Sequence, residues 1–243
     1  MLVSKPEGNY RYLPSSTGGL QLPFCNGVIA DAGYEIVRAT LEHPVPYRAG
    51  FDLIESHLKA LGRPRQALCG FELRCTEPYT VDGFRAFNVE YAQLLGTWGL
   101  HGGAPGTGTT ARTNVAPVLH QPVEQVLFAF SYTVPSSTDR PAFVLSGAAA
   151  GRDQVSTREK VAALVQTLDD RLKEMGMSWD LTTETVAYAP QDIEASLRSE
   201  LLPRIGTAVL NGIRWFPSRA PVTGTEVELG AHGVRHEIRL AVS

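Results

Sequence analysis

Two stretches of this chain run through the same order of elements, and that repeat constrains the fold more than any other feature. In the second half, Ser156-Thr-Arg-Glu159 has the spacing of a capping box. Val161, Leu164, Val165, Leu168, Leu172 and Met175 follow at helical spacing, and Gly176 stands where a C′ glycine ends a helix. The β-branched segment 178–189 predicts a strand. Ile193, Leu197 and Leu201 predict a second helix over 192–202, closed by Pro203 and Gly206. Residues 213–242 predict two strands joined by a turn around Gly230 to Gly233. The first half reads alike. Phe51, Ile54, Leu58 and Leu61 predict a helix closed by Gly62, and 67–75 a strand. Phe84, Phe87, Tyr91, Leu94 and Leu95 predict a second helix, followed by a Gly-rich loop over 99–108 and strands over 111–119 and 123–134.

Local likenesses reinforce the order. His57-Leu-Lys-Ala-Leu-Gly62 is similar to Arg171-Leu-Lys-Glu-Met-Gly176, and Ala111-Arg112-Thr-Asn-Val to Ser218-Arg219-Ala-Pro-Val. Gly62 and Arg112 are 50 apart, Gly176 and Arg219 43 apart, and the loop 101–110 accounts for the excess. A β-α-β-α-β-β unit is therefore expected twice. A period above about 100 residues means duplicated domains rather than a solenoid. The expected domains are 1–134 and 135–243, joined in the polar turn-forming segment 134–141.

Composition sets the outer limits. With 43% hydrophobic residues the 243-residue chain has enough apolar content for a packed core. Its 22 Lys+Arg against 25 Asp+Glu leave a net charge of -3, no footprint for nucleic acid or an anionic membrane. No apolar run reaches the roughly 18 residues of a membrane span, and no signal-peptide core is seen at the start. Cys25, Cys69 and Cys75 are an odd, sparse set, as expected for reduced thiols in the cytoplasm.

Four segments of the second half resemble the Rid (YjgF-like) family of reactive-intermediate deaminases. Phe143-Val-Leu-Ser-Gly147 is similar to that family's strand ending in Ser-Gly-Gln, with Ala148 in place of the Gln. The helix ending in Gly176 matches in position and length. Phe216-Pro-Ser-Arg219-Ala-Pro-Val222 resembles the segment holding the family's catalytic arginine, and Val234-Arg-His-Glu237-Ile its last strand with a functional glutamate. In the first half Asn88-Val-Glu-Tyr91 resembles the family's Asn-x-x-Tyr helix, and Ala111-Arg112 the arginine segment again. The strand Leu127 to Val134 has no matching glutamate. The resemblance covers most of residues 25–242. It implies an α+β fold of two tandem chorismate-mutase-like domains, each a mixed sheet packed by two helices, and self-association into a homotrimer.

The implied chemistry is hydrolysis of an enamine or imine acid, 2-aminomuconate-like compounds among them, with release of ammonia and no cofactor. A fixed arginine suits the substrate carboxylate through its planar two-pronged donor. A second polar group must place water and move protons. By the resemblance Arg219 is the clamp and Glu237 the acid/base group. Arg112, Ser146 and Asn88 are substrate-binding candidates. Trp215 either stacks on a flat conjugated acid or fills core, and Tyr91 is expected in the core. The alternatives are a chorismatase-like hydrolase and a non-catalytic carboxylate-binding module. No metal is expected, since His232 and His236 lie on a strand pattern and lack a carboxylate-bearing motif. The Gly-rich loop has no following Lys-Ser/Thr for a phosphate cradle.

Overall fold

A computed structural model describes residues 1–15, 23–104, 106–149 and 156–242. Residue 105 of the Gly-rich loop lies outside them. The strands are β1 (Val3–Lys5), β2 (Tyr10–Leu13), β3 (Gly27–Ala30), β4 (Tyr34–Pro46), β5 (Leu68–Arg74), β6 (Ala111–Pro117), β7 (Val126–Pro135), β8 (Phe143–Leu145), β9 (Ala148–Ala149), β10 (Glu184–Tyr188), β11 (Ile213–Phe216), β12 (Ser218–Arg219), β13 (Glu228–Gly233) and β14 (His236–Leu240). The helices are α1 (Tyr47–Ala60), α2 (Val81–Thr97), α3 (Thr157–Glu174) and α4 (Glu194–Ser196), the last running on as a π-helical turn, Leu197–Leu201.

The strands form two mixed sheets, β1-β2-β3-β8-β13-β10-β11 with β9 also on β13, and β12-β6-β5-β7-β4-β14. Their central parts have one plan. β6-β5-β7-β4 and β11-β10-β13-β8 share strand order, with the first pair parallel and the others antiparallel. The sheets lie face to face, because Val28, Ala30 and Val144 of the first share an apolar cluster with Ile36, Cys69 and Ala111 of the second. Helices cover the outer faces, giving four layers. The α3 stripe Val161, Leu164, Val165, Leu168 and Leu172 is buried on the first sheet, at about 1.5–3 kcal/mol for each large side chain. On the second sheet α1 and α2 bury Phe51, Ile54, Leu58, Tyr91 and Leu95. Both sides of the Ser156–Glu159 capping box form, and Gly176 takes φ +69° after α3.

Several expectations change. Gly230 to Gly233 is not a turn: it lies inside buried β13. A Cβ on Gly233 would come within 2.5 Å of the Leu181 carbonyl oxygen, so Gly233 admits close packing. Residues 179–181 form a 3₁₀ turn before β10, so the strand expected from 178 begins later. The pairing of Arg112 with Arg219 as equivalents also fails. The strand holding the place of β6 is β11, whereas Arg219 lies on β12, which pairs with β6 itself through Arg219↔Ala116.

Strands also cross between the sequence halves 1–134 and 135–243. β3 extends the first sheet through Val28↔Val144, and β14 extends the second, parallel to β4, through Ile238↔Ala39. No helix among the described residues is long and apolar enough to cross a membrane.

Candidate active site

The residues with the clearest chemical potential meet where the edge of β6 touches the segment after β8. Ala111 and Val115 of β6 pack toward the other sheet. By alternation Arg112 and Asn114 face α2. There the Arg112 guanidinium lies among rings, 4.4 Å from the centroid of Phe24, 4.8 Å from Tyr91, 5.5 Å from Phe84 and 5.8 Å from Phe87. Helical spacing puts Phe84, Asn88 and Tyr91 on one buried face of α2. Both terminal nitrogens of Arg112 are buried without a hydrogen-bond partner, as are both amide atoms of Asn88 and of Asn114. No carboxylate of the described residues forms an ion pair with Arg112. Burial draws its pKa down to about 10, which leaves it charged at neutral pH. An unpaired buried cation ordinarily costs several kcal/mol, so this arrangement persists at the expense of stability.

Ser146 and Gly147 fasten this edge. The Ser146 hydroxyl accepts from the Arg112 amide at 2.9 Å and donates to the Cys25 carbonyl at 2.5 Å. The Gly147 amide donates to the Arg112 carbonyl at 3.1 Å. Ser146 is therefore fully buried and engaged with backbone: it holds Arg112 in place, and its proton is not free to reach a substrate. Gly147 lets Glu228 approach, since a Cβ there would fall 1.8 Å from a Glu228 carboxyl oxygen.

Glu228, the first residue of β13, was not singled out by sequence. It is 3% exposed, and burial pushes its carboxyl up to about 8 against the opposing pull of Arg171, Arg74 and Arg112. It is thus mainly protonated at pH 7, a carboxylic acid in the field of cations. The sequence signal was present in Val227-Glu228-Leu229, an acid between apolar residues at a strand start. Cys75 is close enough to feel Arg112 and Glu228, but burial pushes its thiol up to about 12, so it is no thiolate nucleophile.

Glu237 belongs to a different cluster. Arg38 grips Glu72 through two bonds, 2.5 and 3.0 Å, and reaches Glu237 at 3.7 Å. His232 bonds Glu184 and lies 3.8 Å from Glu237, while Arg214 pairs with Glu184. Burial opposes protonation of His232, but the bonds to Glu184 and Glu237 raise its pKa above the ordinary 6.5. Glu184, His232 and Glu237 each bring one donor atom within 4.8 Å of the others, a set that could hold a cation. Arg38 and Arg214 already occupy those carboxylates, so the cluster closes as an ion-pair network tying β4 and β5 to β10 and β13.

Arg219 and Glu237 are not brought together. They stand on β12 and β14, the two opposite edges of one six-stranded sheet, about 24 Å apart at about 4.8 Å per strand. One small substrate cannot span that distance within a chain. Arg219 is exposed in an open groove with Glu77, Thr223 and Glu226. Trp215 is half exposed on edge strand β11, its indole donating to the Ala189 carbonyl at 3.1 Å. Of the six candidates, Arg112, Asn88 and Ser146 converge, whereas Arg219, Glu237 and Trp215 lie elsewhere.

A family model described as 2-aminomuconate deaminase CnbZ matches residues 2–238. The 2-amino-5-chloromuconate deaminase of Comamonas testosteroni is 35% identical over 248 residues, 95% of each chain. Among solved structures, a chorismatase aligns with TM-score 0.54 and 13% identity over 85% of this chain and 77% of its own, a likeness of fold. A cyanuric acid hydrolase aligns with TM-score 0.42 and 12% identity over 85% of this chain and 69% of its own.

Proposed function

Since the chain belongs to the 2-aminomuconate deaminase CnbZ family, we propose that it hydrolyses a 2-aminomuconate-like enamine acid at the Arg112–Glu228 site. The observation that carries this reading is the Arg112 guanidinium, buried among rings with both terminal nitrogens unbonded. A substrate carboxylate would complete it, with Asn88 and Asn114 supplying further donors, while the rings flank a flat conjugated chain. The chorismatase likeness is one of fold and transfers no activity.

Glu228 supplies the proton traffic. In protonated form it gives its proton to the enamine carbon, whose double-bond electrons take it up, leaving a cationic C=N bond. Water attacks the neighbouring carbon that bears the nitrogen, and its lost proton returns to Glu228. The carbinolamine nitrogen then takes the Glu228 proton, the C–N bond breaks toward nitrogen, and ammonia leaves. The hydroxyl proton restores Glu228 as the carbonyl forms. Arg112 keeps its charge throughout and fixes the carboxylate next to the reacting carbon.

The same reading takes the two halves as copies of one Rid-like, chorismate-mutase-like unit, on the strength of their shared strand order. It takes the protein to be a cytoplasmic homotrimer, which light scattering would test: a monomer at working concentration overturns the trimer. For the site, ammonia release from enzymatically generated 2-aminomuconate is measured in wild type and Arg112→Met. A charge-assisted clamp contributes roughly 1.5–3 kcal/mol, so kcat/KM should fall by about 10- to 100-fold. Wild-type ammonia release in that variant overturns the assignment.

A further inference from the structure

Residues 146–149 bridge the two groups that the proposed reaction needs. At one end the Ser146 hydroxyl and the Gly147 amide bond the backbone of Arg112. At the other, Ala148 and Ala149 pair with Leu229 and Glu228 as β9 on β13. We infer that Arg171 is a positioning residue for the reaction, holding this segment through the Ser146 carbonyl so that Arg112 and Glu228 keep their places. The inference rests on the reading of the Arg112–Glu228 site given above. It adds a residue that touches neither the substrate nor the reacting atoms.

Every polar group of Ser146 is taken. Its amide donates to the Asn26 carbonyl at 3.0 Å. Its hydroxyl accepts from the Arg112 amide at 2.9 Å and donates to the Cys25 carbonyl at 2.5 Å. Its carbonyl accepts from Nη1 of Arg171 at 2.6 Å. The first three bonds come from β6 and the segment before β3, and Arg171 brings the fourth from the outer helix α3. An arginine in the last turn of a helix ordinarily serves that helix's own carbonyls and dipole. Arg171 stands in the last turn of α3, yet its donor leaves the helix for the Ser146 carbonyl. Burial draws its pKa down to about 10, so it stays charged at neutral pH. That charge also acts on Glu228, where it opposes burial more than Arg74 or Arg112 does. Among the described residues, Glu228 is faced by Arg171 of α3, Arg74 of β5, Arg112 of β6, Tyr188 of β10 and Cys75 just after β5. Burial pushes the Tyr188 hydroxyl and the Cys75 thiol up, so both are neutral at pH 7 and the three arginines make the field. Arg171 thus fixes the segment by a bond and biases the acid by its charge.

The test follows ammonia release from enzymatically generated 2-aminomuconate against pH, using the full chain. Displacing a group that positions reacting partners costs up to about 100-fold, so Arg171→Met should lose about 10- to 100-fold in kcat/KM at pH 7. Its alkaline fall, at about 8 in wild type, should move to higher pH, because a positive charge acting on Glu228 is gone. Arg171→Lys keeps the charge, so its fall should stay near the wild-type pH and most of the rate should return. Arg171→Gln keeps a donor for the Ser146 carbonyl but no charge. It should lose less rate than Arg171→Met with its fall equally displaced, and it carries the test if the Met variant does not fold. Wild-type kcat/KM in a folded Arg171→Met or Arg171→Gln overturns the inference. So does a lower rate with the alkaline fall unmoved, which is what a merely structural arginine gives, or a fall displaced as far in Arg171→Lys as in Arg171→Met. Arg112→Met in the same assay separates the two readings. Wild-type release there removes the site itself, whereas loss there beside undiminished release in Arg171→Met removes Arg171 alone.

Discussion

Replacing Glu228 by Gln should make the protein more stable while stopping its turnover. The carboxyl ionises near 4.5 in an unfolded chain but only at about 8 in the fold, where burial dominates. A carboxyl with raised folded pKa contributes its full stability below pH 4.5. It then loses stability as pH rises toward about 8, because the unfolded state sheds the proton first. Each pH unit in that window costs the folded state about 1.4 kcal/mol, so about 3 kcal/mol is forfeited by pH 7. Gln has nearly the same shape and no proton to lose, so Glu228→Gln should recover about 3 kcal/mol at pH 7 and almost nothing at pH 4. At about 2–4 °C per kcal/mol for a chain of this size, the melting temperature should rise by about 6–12 °C. Melting curves at pH 4, 6, 7 and 8.5 follow this directly, and ammonia release is measured on the same samples. In wild type, kcat/KM should fall as pH passes about 8, where the proposed acid loses its proton. A variant no more stable than wild type at pH 7, or one that still releases ammonia at the wild-type rate, would refute the reasoning. A carboxylate that served only as an ion-pair partner would give the opposite sign, since removing its charge would lower stability.

Two other perturbations test the surroundings of the site. His232, raised above 6.5 by Glu184 and Glu237, contributes stability below pH 6.5 that is lost as pH climbs through its folded pKa. In His232→Gln, urea midpoints should fall less steeply with pH above 6.5 than in wild type, with the Glu228 slope remaining up to about 8; a slope above 6.5 as steep as in wild type removes His232 from the account. Arg219→Ala should leave ammonia release within about twofold of wild type, because this exposed side chain on an edge strand meets no buried partner among the described residues. A tenfold loss in that variant would return Arg219 to the site.

The elements with strong periodicity were legible because local physics decides them. The capping box and apolar stripe of α3 depend on neighbours within a few residues, and both form as read. The buried faces of α1 and α2 follow from the same spacing. The glycines of β13 misled for a reason of the opposite kind. Gly230 and Gly233 look like turn residues in one dimension, but Gly233 is small because the Leu181 backbone and the Phe143 ring press on it from elsewhere in the chain. Strand exchange was equally hidden, since nothing local in β3 or β14 says that each completes a sheet built mainly from the other half.

The site was half legible for a related reason. The family resemblance assigns Arg219 and Glu237 to one site because each falls in a segment of the second half similar to one of that family's functional segments. The structure instead fastens Arg112 of β6 to the segment after β8, because Ser146 and Gly147 bond the Arg112 backbone, and Gly147 in turn lies against the Glu228 carboxyl. Glu228 and Glu237 look alike in sequence, each flanked by residues of strand character. Their surroundings separate them. Glu228 begins a strand hydrogen-bonded on both sides, by Tyr188 of β10 and Ala149 of β9, whereas Glu237 lies on a strand whose outer edge pairs with no strand among the described residues. An acid enclosed on both sides loses its water and keeps its proton, and an acid at an edge keeps its water and its charge. Only the first can be a proton donor at neutral pH, so the choice between them follows from which strands flank each one.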